Sequence, residues 1–318
     1  MADHGVSLVG LGYAGVSAPD PKGWREFATE VCGLTPAHIV PGARQGGIPI
    51  PSPDAEGLAA DGSVYLKMDR RQWRVAVHPS EQAGLAYLGF EVKSVVDFER
   101  AVEAISSRGV SIRPGTADEL QARSVERLAV LEDPFGHRLE IFLGPIVDEI
   151  FQSPKGIEFL IGDLGMGHAV LYVPDAAQAV DFYRDVLGFQ RSDYMTFGPD
   201  GMGIHFLRCT PRHHSLAVLQ VGDLTGLQHL MFEATTLDAV GKALDRAMAR
   251  GVPITSNLGR HRNDKTVSFY MQGPSGFDVE MGWDGVIVGE DWVEHEFAGG
   301  GDEWGHHGLD ADALKPRD

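Results

Sequence analysis

The strongest constraint on the fold is an internal repeat. The segment LGYAGVSAPD at 11–20 resembles MGHAVLYVPD at 166–175, and Gly33-Leu34 answers Gly188-Phe189 at the same offset of 155. GSVYLKMDRRQWRVAV at 62–77 resembles GIHFLRCTPRHHSLAV at 203–218, and 85–112 resembles 227–254. DPFGHRLEIF at 133–142 resembles GPSGFDVEMG at 273–282. The offsets shrink from 155 to 140 along the chain, as insertions and deletions in loops produce. Self-similarity of this kind predicts a duplicated unit. The expected division is 1–150, 160–285 and a tail at 286–318.

Each half divides again. Trp24, Phe27, Ala28 and Val31 share one side of a helix, as do Val95, Phe98, Val102 and Ile105, and Leu237, Val240, Leu244 and Ala247. This is the i, i+3/i+4, i+7 spacing of an amphipathic helix. Helices end near Gly33, Gly109, Gly188 and Gly251, residues suited to a left-handed C-terminal turn. Arg74–Val77 and Ser215–Leu219 alternate as half-buried strands do. The predicted fold is α+β: four βαβββ modules paired into two homologous barrel-like domains.

Charge and cysteine count narrow the function. Twenty-seven basic against 45 acidic residues leave a net charge of −18, which repels phosphate backbones and anionic lipid. No nucleic-acid or membrane partner is expected. Two cysteines, Cys32 and Cys209, cannot build a disulfide framework, and the start shows no basic region followed by an apolar stretch. A cytoplasmic protein is expected.

The halves differ where chemistry could sit. Aligning the repeats sets His168 on Tyr13, His229 on Tyr87 and Glu280 on Glu140, each in a segment that reads as a strand. Two histidines and a carboxylate are the facial triad that suits Fe(II) or a similar divalent ion and leaves positions open. Hydrogen-bonded core histidines and a solvated glutamate fit the same spacing, which leaves both possibilities open.

The stretch GRHRNDKTVSFYMQGPSGFDVE at 259–280 adds a longer pattern. Gly259, His261, Phe269, Tyr270, Pro274, Gly276 and Glu280 resemble the signature of the type I extradiol ring-cleaving dioxygenases, of the vicinal oxygen chelate superfamily. Gly273 departs from it, because an acidic, amide, Thr or Ala residue usually precedes the proline. The segments 65–92, 137–145, 209–217 and EWGHH at 303–307 are similar to the 2,3-dihydroxybiphenyl 1,2-dioxygenase branch.

The resemblance implies extradiol cleavage of a catechol-type aromatic diol with O₂. His168, His229 and Glu280 would hold Fe(II), with Mn(II) as the alternative, and the chain would be a homo-oligomer. His214 would be the acid/base, a task that suits imidazole because its ordinary pKa lies near 6.5. His261 and Tyr270 would hydrogen-bond substrate oxygens. Two further readings stay open on the same fold: a glyoxalase-like isomerase and a non-catalytic small-molecule-binding protein.

Spacing supplies the remaining candidates. Strand alternation sets His214 on one face with Leu216 and Val218 and turns His213 to the other, which reads His213 as a surface or structural residue. Val170, two after His168, and Phe206, eight before His214, are candidates for an apolar substrate wall, with core packing as the alternative for Val170. Asp264 could orient a histidine, and Asn263 is a companion candidate; both also read as plain loop residues. His205 carries no clear role; the tail pair His306 and His307 could bind metal nonspecifically but reads as surface packing, and 290–296 reads as a solvated acidic stretch.

Overall fold

The computed structural model describes residues 4–45, 48–51, 56–148, 150–196, 203–297 and 301–308. Each half builds one large sheet. The first runs in the order Thr35–Pro36, Val64–Lys67, Val75–Pro79, Leu8–Ala18, Gly84–Val92, Arg138–Leu143, Arg127–Glu132, Ile112–Pro114. The second repeats that order with Gln190–Thr196, Gly203–Arg208, Leu216–Gln220, His168–Tyr172, Gly226–Glu233, Asp278–Trp283, Val267–Gln272 and Ile254–His261. The four βαβββ modules follow directly. In each half the two modules join through antiparallel first strands, Leu8–Ala18 on Gly84–Val92 and His168–Tyr172 on Gly226–Glu233.

The tail extends the second sheet at both edges. His295–Glu296 pairs parallel with Gln190–Thr196, and Asp302–Trp304 pairs antiparallel with Ile254–His261. Residues 309–318 lie outside the described residues.

Local chemistry explains the helices. Asp20, Ser94, Thr116, Asp175 and Thr236 each accept a backbone N–H from the first turn of the helix they precede. Helices span Pro21–Phe27, Val95–Ser107, Ala176–Asp185 and Leu237–Ala249, with Ala117–Arg123 added in the first half. A π-helical turn, Ala28–Cys32, continues the first helix to Gly33, where φ is +81°. Most of the apolar faces expected for these helices are buried, among them Trp24, Phe98, Ile105, Val240 and Ala247; Leu237 is exposed instead.

One apolar core runs through both halves. Phe90 of the first half stands edge-on to Phe189 of the second, their ring centroids 5.3 Å apart. Trp24 packs on Phe277 and donates its indole N–H to Ser275 Oγ at 2.6 Å. The turn's own backbone accounts for Gly273: a Cβ there would fall 2.8 Å from the Phe277 carbonyl oxygen, with the Trp24 ring at a contact distance of 3.4 Å. Among the described residues, no helix is long and apolar enough to cross a membrane.

A separate apolar cluster lines each sheet, and the two differ in content. In the first half Tyr13, Tyr65, Trp73, Tyr87 and Phe142 fill it. In the second it contains Val170, Tyr172, Phe206, Ala217, Leu219 and Val221. The aromatic rings of the first half occupy the space that the second keeps for histidines.

Candidate active site

Three strands at the centre of the second sheet bring His168, His229 and Glu280 together. His168 opens its strand, His229 lies opposite Val170 in the antiparallel neighbour, and Glu280 lies opposite Met231 in the next. The Nε2 atoms of the two histidines are 3.0 Å apart. Glu280 Oε2 lies 3.2 Å from the first and 3.3 Å from the second. Adjacent corners of an octahedron with bonds of about 2.1 Å are about 3.0 Å apart, so the three donors are spaced as cis ligands of one small cation. Gln228 Oε1 accepts a hydrogen bond from His229 Nδ1–H, which leaves the Nε2 lone pair directed at the carboxylate.

The carboxylate itself calls for a cation. Glu280 is 1% exposed, and neither of its oxygens accepts a hydrogen bond. A buried carboxylate without partners is costly. The repeat counterpart, Glu140, is wholly buried yet saturated. It accepts from Tyr13 Oη at 2.6 Å, from Arg123 at 2.8 and 2.9 Å, and from Arg138 at 2.6 and 2.9 Å. The donor set of the second half therefore fits a divalent ion, and that of the first half does not.

Electrostatics keep the donors in binding form. Burial lowers the His168 pKa to about 4, so its imidazole is neutral at pH 7. Burial would raise Glu280, but the His168, His229 and His261 imidazoles outweigh it and hold the carboxyl well below its usual range. A metal ligand must be deprotonated, a condition that His168 and Glu280 meet.

The remaining sequence candidates converge here unevenly. His214 is buried with its ring centroid 4.0 Å from that of His168 and 4.9 Å from that of Phe206. Burial first, then the rings of His168 and His213, lower its pKa well below 6.5. Tyr270 Oη lies 2.8 Å from His261 Nε2, and that nitrogen is 3.5 Å from Glu280 Oε1. Burial and then Glu280 push the Tyr270 hydroxyl well above its ordinary value. Val170 and Phe206 share one buried apolar cluster. Asp264 is buried and accepts the Thr266 N–H at 3.0 Å; its Oδ2 is 3.8 Å from His214 Nδ1, beyond a hydrogen bond. Asn263 is buried in the same bend.

Strand alternation misplaced two histidines. The strand begins at Leu216, and 213–215 form a bend that resets the two-residue period. Leu216 and Val218 face the main core, while His214 packs on Phe206. His213 is 1% exposed rather than on the surface.

The tail contributes two further groups. His306, read from sequence as a surface residue, is buried and lies against His261, centroids 4.2 Å apart. Asp302 Oδ1 bridges His261 Nδ1 at 2.8 Å and His306 Nδ1 at 2.7 Å. Burial would lower the His261 pKa; the bond to Asp302 and the nearby Glu280 outweigh it and push it up to about 10. Gly259 makes the approach possible, since a Cβ there would fall 2.4 Å from the His306 nitrogen. The EWGHH motif was the available signal for His306; Asp302 carried none.

Known proteins agree with this architecture. A profile of the Glyoxalase/Bleomycin resistance protein/Dioxygenase superfamily matches residues 10–141 and 165–281. The chain belongs to that superfamily. Within it, the chain is 36% identical to an iron-dependent extradiol dioxygenase of Rhodococcus jostii (strain RHA1), over 95% of this chain and 97% of the relative. It is 37% identical to a biphenyl-2,3-diol 1,2-dioxygenase of Metapseudomonas furukawaii, over 98% and 97%. The crystal structure of a halotolerant catechol dioxygenase superposes with a TM-score of 0.85 at 32% identity, covering 98% of this chain and 97% of that one. The superfamily match falls on both halves, although among the described residues only the second carries the His168, His229 and Glu280 cluster.

Proposed function

We propose that the chain is an extradiol dioxygenase that opens a catechol-type aromatic ring beside its two hydroxyl groups, with O₂ as co-substrate. His168, His229 and Glu280 hold the metal, Fe(II) by our assignment, with Mn(II) able to take the same donors. When bound, such an ion supplies Lewis acidity toward both diol oxygens and a path for electrons between ring and dioxygen. The observation that carries this reading is Glu280, buried among three imidazoles with no hydrogen bond to either oxygen, in a chain whose relatives are named as extradiol dioxygenases.

The protein's own groups divide the remaining work. His214 takes a proton from a substrate hydroxyl, a role that its neutral imidazole suits. Tyr270 and His261 donate to oxygen atoms on which negative charge develops, within a site shielded from water. Phe206 and Val170 supply apolar contact for an aromatic ring. Asp264, 3.8 Å from His214, and Asn263 before it in the chain are assigned to the polar side of the pocket. We place the enzyme in the cytoplasm as a homo-oligomer. Both cysteines are free, and burial pushes the Cys209 thiol up to about 12, so it stays protonated.

The test uses anaerobically purified protein loaded with Fe(II) and a panel of 2,3-dihydroxybiphenyl, 3-methylcatechol and 1,2-dihydroxynaphthalene. Oxygen uptake with a yellow semialdehyde-type product is expected for at least one. Loaded protein that consumes no oxygen with any of them would overturn the reading.

A further inference from the structure

His213 is used by nothing described so far, yet it is buried in a chain of contacts that ends at His214. Its Nε2 lies 2.7 Å from Asp193 Oδ2, and its Nδ1 lies 3.1 Å from His214 Nδ1. Asp193 is fully buried. A register shift between Arg191 and Asp193 interrupts the pairing with Gly203–Arg208, the kind of irregularity that re-aims a side chain. The other carboxylate oxygen, Oδ1, accepts the His295 backbone N–H from the tail strand at 2.7 Å. Ser192 Oγ donates to the His213 carbonyl, and Trp292 stands edge-on to the His213 ring while donating its indole N–H to the Ser192 carbonyl. Asp193, Ser192 and Trp292 thus touch His213 directly, and the other two bonds hold Asp193 and Trp292 in place.

Proton positions follow from donor and acceptor chemistry. An ionised carboxylate only accepts, so the hydrogen between His213 and Asp193 sits on Nε2. A neutral His213 then presents a lone pair at Nδ1. Two lone pairs would repel at 3.1 Å, so His214 must bear its hydrogen on Nδ1 and donate it. Its Nε2, at the far end of the ring, is left bare.

We propose that Asp193 and His213 are positioning residues that lock His214 into the Nδ1–H tautomer, so that its Nε2 lone pair accepts the substrate proton. When Nε2 takes that proton, the positive charge on His214 is stabilised through His213 by the buried carboxylate. No proton has to leave Nδ1. The logic is that of a buried aspartate orienting a catalytic histidine, with one imidazole interposed. The use of the lone pair rests on the proposed dioxygenase function; the tautomer does not.

The test has two arms. In the full-length chain without added metal, ¹⁵N-histidine NMR reads each ring's tautomer, with His213→Gln and His214→Gln assigning the two signals. His214 is expected as Nδ1–H and His213 as Nε2–H. A wild-type His214 in the Nε2–H form would overturn the proposal whether or not any variant folds. The second arm is Asp193→Asn. The His295 N–H keeps the side-chain oxygen at the Oδ1 position, which turns the NH₂ group toward His213 Nε2. Both tautomers should then invert. With the Fe(II)-loaded protein and 2,3-dihydroxybiphenyl, kcat should fall about 100-fold or more while KM changes less than about threefold, the signature of a lost acid/base. D193N with unchanged tautomers and unchanged kcat would also overturn it. Should wild-type protein turn over no catechol while the tautomers stand as stated, the functional reading falls and the positioning inference survives.

Discussion

Arg123 closes its guanidinium on Glu140, with Nε 2.8 Å from Oε2 and Nη2 2.9 Å from Oε1, at the repeat position where Glu280 has no hydrogen-bond donor. The same guanidinium sits over Tyr87, 3.5 Å from the ring centroid, and Tyr87 stands where the second half has His229. A fixed cation from the protein thus fills the place that a metal would take in the other half. Removing one partner of a buried pair leaves an uncompensated charge, a loss of about 3–5 kcal/mol. Glu140→Gln should lower the urea midpoint by a corresponding amount and leave the metal content at one ion per chain. A second ion, or a halved content, in wild type or variant would contradict this division of roles.

Loss of a metal donor should act on content before it acts on rate. His229→Ala removes one of the three proposed donors and leaves Gln228 without its partner. Bound iron, measured by elemental analysis after gel filtration, should drop from about one ion per chain to near zero, and turnover with it. Retained metal would remove His229 from the ligand set.

Acid should weaken the first half through His78. Its Nε2 lies 2.7 Å from Tyr87 Oη and its Nδ1 2.8 Å from Ser63 Oγ. Burial first, then the nearby Arg123, lowers its pKa to about 4 from an unperturbed 6.5. The folded imidazole is therefore neutral across a range where the unfolded chain binds a proton. Stability from this group is complete above pH 6.5, falls as pH drops from 6.5 to 4, and levels off below. His78→Gln should flatten that part of the curve of urea midpoint against pH, although the variant is less stable at pH 7. An unchanged slope would show that His78 does not control it.

Gly259→Ala tests the seat of the tail on the site. The new Cβ would fall 2.4 Å from the His306 backbone nitrogen and 2.5 Å from its Cγ. Overpacking of this kind costs about 1–3 kcal/mol. The expected relief is displacement of 302–306, which takes Asp302 away from His261. Hydrogen exchange at 302–306 should accelerate, and turnover should fall while bound metal stays at one ion per chain. Normal exchange with normal activity would mean that the strand absorbs the methyl group.

Much of the architecture is legible in the linear chain because the repeat and the side-chain periods are local properties. Strand alternation and helix spacing need only a few neighbouring residues, and duplication registers His168 on Tyr13, His229 on Tyr87 and Glu280 on Glu140 before any folding is considered. The four modules and the asymmetry between halves follow from that alone, whereas the reading of the three residues as metal donors comes from the resemblance carried by 259–280. Tertiary structure decided what surrounds them. Asp302 reaches His261 across 41 residues, Asp193 meets His213 across 20, and Arg123 finds Glu140 across 17. None of these pairs lies in a repeating pattern: Asp302 arrives on an added edge strand, Asp193 at a bulge and Arg123 at the end of an added helix. A hydrogen bond is set by distance and angle in space, whereas sequence periodicity specifies only which face of a strand or helix a residue occupies.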